Sequence, residues 1–417
     1  MFGAINRHDS PIVTVIMGFS AVLLVVCIVL YPDQAFQASL QGLSIWWKLV
    51  FPALLPFLVL SEILIAFGWV HALGVLIDPL LRVLFRIPGV GGWAMSLGWT
   101  AGYPAGAVAA VKLRQQKALS RQEAQRLLAL SHVSNPVFMI VVVGVGFLHQ
   151  AELGLMIAIV HWSSIVITGL LLRWFAPPAP EPAPERAAPA RYASVTGGMF
   201  ARVRRMIAAM RDAHRQDGRS FGKLLGEAVG SAVQTLLMVG GYMMIFSVVI
   251  QVVRLAVPQE MSRYAINGFF EINLGAHAVS TAPFASQMWQ MAFLGAILAW
   301  SGISAHLQVR SITRATDLSY ASFLGARLLH AAVAFVLTFA LWQPLQRLVG
   351  GNVRALATLY APQNGDASRE ASAPLVESLF RALTTVQPYA LLLWLILLLS
   401  LMIVLSAAIA AFRPRKP

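Results

Sequence analysis

Leu97-Gly98-Trp99-Thr100-Ala101-Gly102 and Leu298-Ala299-Trp300-Ser301-Gly302 open two apolar passages of the same chain. The first leads to Arg126-Leu127-Leu128 and Phe138, the second to Arg327-Leu328-Leu329 and Phe339, in one ungapped register. Seven of 42 positions are identical between 97–138 and 298–339, so the shared order of elements carries more weight than the identities. A duplicated apolar unit interrupted by Gly, Ser, Thr and Pro is how many transporters are built. The passage therefore points to moving a solute rather than transforming one.

Composition sets the class. The 417 residues are 58% hydrophobic and 12% charged, with a mean hydropathy of +0.72. Stretches 12–30, 153–172, 228–253, 328–346 and 382–412 carry no Asp, Glu, Lys or Arg. Each is long enough to cross a hydrocarbon layer of ~30 Å as a helix. Tyr31-Pro32-Asp33 is a poor small-residue cleavage site, so 12–30 reads as a retained helix rather than a signal peptide. The net charge of +14 does not imply nucleic acid. Its cations gather in 112–126, in 173–223 and at Arg413, Arg415 and Lys416, as in loops kept in the cytoplasm beside anionic lipid. Cys27 is the only cysteine and reads as a small core or lipid-facing residue.

The expected architecture is an all-α polytopic membrane protein with two structural repeats. Each repeat holds a re-entrant helical hairpin and a broken transmembrane helix. Residues 1–40 form an N-terminal membrane helix, 41–175 the first repeat, 176–221 a Pro/Arg-rich cytoplasmic linker, 222–349 the second repeat, and 350–417 a polar loop with a last membrane helix. The linker begins with Pro177-Pro178-Ala179-Pro180-Glu181-Pro182, which favours an extended chain. Its 199–211 segment reads either as a basic helix on the membrane surface or as a solvated tether. The uncharged stretch 272–309 is too long for one crossing, so part of it should fold back. Hairpins are expected around 99–106 and 300–304, lining a cavity, because non-helical backbone at membrane depth needs protein or water beside it.

Several polar groups fall in these breaks. Ser120-Arg121-Gln122-Glu123 is a capping box that starts a helix. Ser134-Asn135-Pro136 interrupts that helix and reads as a fresh start, with Asn135 as N-cap and Pro136 at the first helical position. Such a half-helix offers unpaired N–H groups and a partial positive charge to a polar solute. Thr100, Gly102 and Tyr103 lie in the first hairpin, and Ser301 and Ser304 in the second. Charges in apolar segments mark sites or pathways. Glu271, followed by Asn273 and His277, is the strongest of these. Glu62 and Arg86 are candidates for coupling or charge balance, with Arg86 and Glu271 expected at corresponding places in the two halves. The expected solute-binding set is thus Thr100, Gly102, Tyr103, Ser134, Asn135, Glu271, Asn273, Ser301 and Ser304.

Gly89-Val90-Gly91-Gly92 lacks the lysine and hydroxyl of a phosphate-binding loop, so ATP or GTP is not expected as fuel. No Cys/His spacing suggests a metal, and no cofactor is expected. A serine protease built on Ser301 with His306 or His330 would need a base in reach and an oxyanion site. The sequence favours a non-enzyme.

A resemblance sharpens this. Trp46-Trp47, Pro52-Ala53-Leu54, Pro56-Phe57, Glu62, Asp78-Pro79-Leu80, Phe85-Arg86, Pro88-Gly89, Gly102-Tyr103-Pro104, Gly106-Ala107, Ser134-Asn135-Pro136, Phe138 and Phe270-Glu271 stand in this order. Over about 40–345 the chain resembles the sporulation integral membrane proteins with nucleoside-recognition (Gate) domains. The resemblance implies a core similar to concentrative nucleoside transporters, with two re-entrant hairpins and two broken helices. It also implies, through stage V sporulation members, carriage of dipicolinate across the outer forespore membrane. Glu271 would match the second-half glutamate of nucleoside transporters, and Ser301 and Ser304 their second-hairpin serines. The first hairpin, Trp99-Thr100-Ala101-Gly102-Tyr103, has no carboxylate where those transporters carry one, which favours an anionic solute. A nucleoside transporter and a non-transporting scaffold for spore assembly remain the alternatives. Expected partners are a small-molecule substrate and membrane lipid, with further copies of the chain left open, and no nucleic acid. The basic segments place 112–126, the linker and the tail inside. An inverted repeat would put that tail outside unless one segment does not cross.

Overall fold

The structure, a computed structural model, describes residues 11–175, 199–257 and 263–350. The proline-rich start of the linker, the polar loop after 350, the apolar run 382–412 and the basic tail lie outside the described residues. Those described form helices and connecting turns, with no strand among them. Among the described residues, five helices are long and apolar enough to cross a bilayer: Pro32–Ala66, Ala151–Trp174, Phe221–Ala256, Gln287–Thr313 and Tyr320–Val349. The apolar α1 (Pro11–Leu30) precedes them, largely exposed and touching α2 and α10.

α2 (Pro32–Ile45) passes through a π-helical turn, Trp46–Val50, into α3 (Phe51–Ala66) without a break. The rod packs along α10 (Phe221–Ala256). Trp46 fixes the contact: its ring fills the space beside Gly240, and its Nε1–H donates to Leu236 O at 2.9 Å. Inside a bilayer burial from water gives no driving force, so close packing of small residues and interhelical hydrogen bonds carry such contacts. α4 (Trp69–Leu80), extended by Leu81–Phe85, carries α9 (Met199–Asp217) on its side. Met206 and Ala209 of α9 are buried there, while Phe200, Arg204, Arg205 and Ile207 are exposed. The basic segment is therefore a helix docked on α4, not a free tether.

α5 (Gly91–Ala101) and α6 (Ala105–Gln115) pack against each other, turning at Gly102–Pro104. The peptide between Tyr103 and Pro104 is cis. α7 (Arg121–Ser131) starts on the expected capping box: Glu123 N donates to Ser120 Oγ at 3.3 Å, and Ser120 N to Glu123 Oε2 at 2.8 Å. It stops before His132. After an irregular stretch to Asn135 the helix restarts and becomes π-helical over Phe138–Phe147, and α8 (Ala151–Phe175) follows.

In the second half, α11 (Arg263–Phe270) and α12 (Ile272–Thr281) pack on each other across Glu271. A Cβ on Gly275 would lie against the Gly268 backbone, so the two helices meet almost backbone to backbone. α13 (Gln287–Trp300) and α14 (Gly302–Thr313) are separated at Ser301 and do not pack along each other, and α15 (Tyr320–Leu345) follows. This corrects the expected position of the second hairpin. The packed pair turns at Glu271, and the break at Ser301 interrupts a helix instead. Trp99 and Trp300 thus share a register in sequence but not an element. Arg86 and Glu271 do not correspond either. Arg86 is an exposed, left-handed residue closing a helix, with φ of 52°, whereas Glu271 is 3% exposed in a turn.

Candidate functional site

The interrupted helices and the packed turns converge. Gly102 has φ of +82°, and a Cβ there would sit 3.0 Å from Asn135 Nδ2, so the first turn rests on the α7 break. Gly302 has φ of +78°, and a Cβ there would sit 3.0 Å from Glu271 Cα, so the second break rests on the second turn. Only glycine occupies such left-handed positions without strain. Two tryptophans tie the same pairs: Trp99 Nε1–H donates to Leu130 O, and Trp300 Nε1–H to Phe269 O, each at 3.0 Å and each across 31 residues. Both bonds reach a carbonyl in the last turn of a helix, where intrahelical donors run out.

At the first break, Asn135 Oδ1 accepts from Phe138 N at 2.7 Å, the predicted cap. Ser134 N–H donates to His161 Nε2 at 3.2 Å, and Ser134 Oγ donates to the Tyr103 hydroxyl at 3.3 Å. The Tyr103 ring stacks on His132 at 5.1 Å. At the second turn, Glu271 is extended and caps α12. Its Oε2 accepts from Leu274 N at 2.7 Å and its Oε1 from Asn273 Nδ2 at 2.9 Å. A carboxylate at a helix N-terminus gains from both bonds and from the helix dipole. Ser301 joins the two regions: its Oγ donates to Trp300 O at 2.5 Å and meets His132 Nε2 at 3.2 Å.

A cavity of about 770 Å³ opens on one side of this assembly. Tyr103, Ser134, Asn135 and Asn273 line one wall, and α3 and α10 the other, with Ser61, Glu62, Ser231 and Thr235. Lys112 also lines it, with its side chain exposed. Four of the predicted binding residues therefore share one wall. Glu271 lies behind that wall and reaches it through Asn273. Gly102 shapes it through Asn135. Thr100 bonds back to Ser96 O at 2.8 Å within its own helix. Ser301 and Ser304 are buried away from the cavity. Of the two charge candidates, Glu62 is on the cavity wall, 3.7 Å from Arg219. Arg86 is not.

Sequence reasoning left a buried cation out of the site. Arg327 of α15 is 1% exposed. It donates to His132 O and Ala129 O, both at 2.6 Å, and meets His330 Nδ1 at 3.3 Å. It grips the carbonyl end of α7, where a half-helix carries partial negative charge. His330 Nε2 in turn meets Ser164 Oγ at 2.9 Å. The signal was present, since His161, Arg327 and His330 are polar groups inside otherwise apolar helices. Arg126, which shares its register in sequence, instead holds Arg86 O at 3.1 Å. The imidazole facing Ser301 is His132. His306 Nε2 instead meets Trp300 O at 3.0 Å, and His330 Nε2 meets Ser164 Oγ.

A family model described as nucleoside recognition (Gate) matches residues 47–151. The sporulation integral membrane protein YlbJ of Bacillus subtilis (strain 168) is 37% identical over 354 residues, covering 81% of this chain and 84% of the relative. No solved structure matches the chain. An integral membrane relative over most of the length, together with five long apolar helices, makes this a multi-pass membrane protein.

Proposed function

Because the chain belongs to the family of sporulation integral membrane proteins with a Gate domain, we propose that it transports a small anionic or heterocyclic solute. The carrying observation is the wall formed by Tyr103, Ser134, Asn135 and Asn273 on a cavity of about 770 Å³. This volume lies within the range of small-molecule sites, roughly 300–1,000 Å³. The wall offers amides and hydroxyls at the starts of two helices, where anions are favoured. Glu271 is spent on capping α12 and on Asn273, while Glu62 on the opposite wall stands 3.7 Å from Arg219 and Lys112 adds a cation to the lining. Those features suit a dianion such as dipicolinate better than a neutral nucleoside. The relative's name ties the family to sporulation, so the forespore outer membrane is the proposed place of action.

The repeat reading is supported in a changed register. His132 meets Ser301 and His330 meets the His161 carbonyl, each pair 169 residues apart. In units related by a two-fold axis, residues on the axis meet their own equivalents. In that register the turn at Gly102 corresponds to Glu271, and α8 to α15. Each unit is then a packed, re-entrant pair followed by an interrupted helix.

The family model's description, nucleoside recognition, favours the second reading, a nucleoside transporter. Thermal unfolding of the purified protein against dipicolinate, related pyridine carboxylates and nucleosides separates the two, because a ligand held by the folded state raises Tm by mass action. Dipicolinate should raise it and uridine should not. A rise with uridine alone would reverse the assignment, and no rise across the panel would favour the scaffold role.

A further inference from the structure

A second cavity of about 520 Å³ lies on the other side of the Glu271 turn. Gln41 of α2, Gln251 and Arg254 of α10, Asn267 of α11 and His277 of α12 line it. The two cavities share three walls and no residue. Along α10 the first takes Ser231 to Val239 and the second Ser247 to Arg254. Along α2 and α3 the second takes Ala38 to Ile45 and the first Leu54 to Ile65. On α12, Asn273 faces one cavity and its neighbour Leu274 the other. Thr235 and Gln251 are about 24 Å apart along the helix axis at 1.5 Å per residue, most of a hydrocarbon thickness of ~30 Å.

Along α10 the two linings are separated by the turns between Val239 and Ser247, about 12 Å of helix. Trp46 against Gly240 closes one side, and the fully buried Met243 lies a turn further along α10. On the other side stand the Glu271 carboxylate and the first turn of α12. The second cavity is wired to this partition. Arg254 Nη2–H donates to Asn267 Oδ1 at 2.8 Å, and Asn267 Nδ2–H reaches Leu274 O at 3.5 Å. Among the described residues, its lining of two glutamines, an asparagine, an imidazole and a guanidinium is rich in donors and holds no carboxylate. Arg presents a planar fork of donors that fits a carboxylate.

We infer that the Arg254 cavity is a second aqueous vestibule, facing the opposite side of the membrane from the Tyr103 cavity, and that it receives the carboxylate group of the solute. The Glu271 turn is the partition between them. This inference rests on the transport reading, but its first test does not need uptake. Cys27 is replaced by Ser to leave no cysteine, and Thr235→Cys and Ala278→Cys are introduced singly. A membrane-impermeant maleimide is then applied to right-side-out and to inside-out vesicles. The expected result is labelling of each cysteine from one side only, and from opposite sides. Labelling of both from the same side, or none at Ala278→Cys, overturns the inference. Dipicolinate at about ten times its Kd should slow labelling of Ala278→Cys about tenfold by mass action. Arg254→Gln should abolish that protection and Arg254→Lys should keep part of it. Labelling unaffected by dipicolinate, or protection that survives Arg254→Gln, removes the carboxylate assignment. Absent uptake with opposite-sided labelling would sink the transport reading while leaving the two vestibules standing.

Discussion

Asn135 does two things with one side chain: its Oδ1 caps the restarted helix, and the residue lines the cavity. Asn135→Ala should cost about 1 kcal/mol, the usual worth of an N-cap, read by thermal unfolding. Asn135→Asp should restore the cap while weakening dipicolinate binding, because it sets a negative charge on the wall. Equal binding by Asn135→Asp and the native protein would remove Asn135 from the site. Arg327 makes a larger demand. Replacing it by Met strips the charged donors from Ala129 O and His132 O inside the protein, for a loss of roughly 3 kcal/mol. A change in unfolding temperature no greater than that of an exposed Arg→Met control would contradict this clamp.

Elements show how far the sequence could be read. The capping box at Ser120, the break at Ser134-Asn135-Pro136 and the turn at Gly102-Tyr103-Pro104 were all legible. In each, the chemistry is local: a hydroxyl and a carboxylate three apart, a proline without an N–H, a glycine before a proline. The second half was misplaced because Trp300 and Arg327-Leu328-Leu329 repeat the first half's residues without its packing. The pairing of α11 with α12 depends on Gly268 meeting Gly275 across a turn. One-dimensional patterning does not display that contact among so many small residues. The turns themselves are testable. Gly102→Ala forces a left-handed Cβ towards Asn135, costing about 1–2 kcal/mol for the backbone alone. Gly302→Ala should do the same against Glu271. Unchanged stability in either variant would contradict the convergence of turn and break.

At the scale of the whole molecule, the halves are also joined outside the membrane-spanning helices. Arg114, at the end of α6, holds Asp317, between α14 and α15, through two bonds of 2.8 Å. The guanidinium's hydrogen bonds hold the Asp317 carboxyl below the usual carboxylate range. Its contribution to stability is therefore present above the unfolded-state pKa and is lost as pH falls through the lower folded value. Both side chains are partly exposed, so the effect belongs to the surface class, below about 1 kcal/mol. Asp317→Asn should flatten the acid limb of the Tm profile and leave the neutral value nearly unchanged. An acid limb identical to that of the native protein would contradict the join. The division of labour across the molecule follows the same plan: α2, α3 and α10 form one wall, and the converging breaks form the other.

Transport through that junction is read by uptake of labelled dipicolinate into liposomes containing the purified protein. The native protein should take up the label above protein-free liposomes, with excess unlabelled dipicolinate abolishing the signal. Glu271→Gln, which removes the charge but can still accept from Leu274 N, should reduce uptake at least tenfold without loss of folding, as a charge in the partition requires. Uptake no greater than in empty liposomes for dipicolinate and for nucleosides alike would contradict the account.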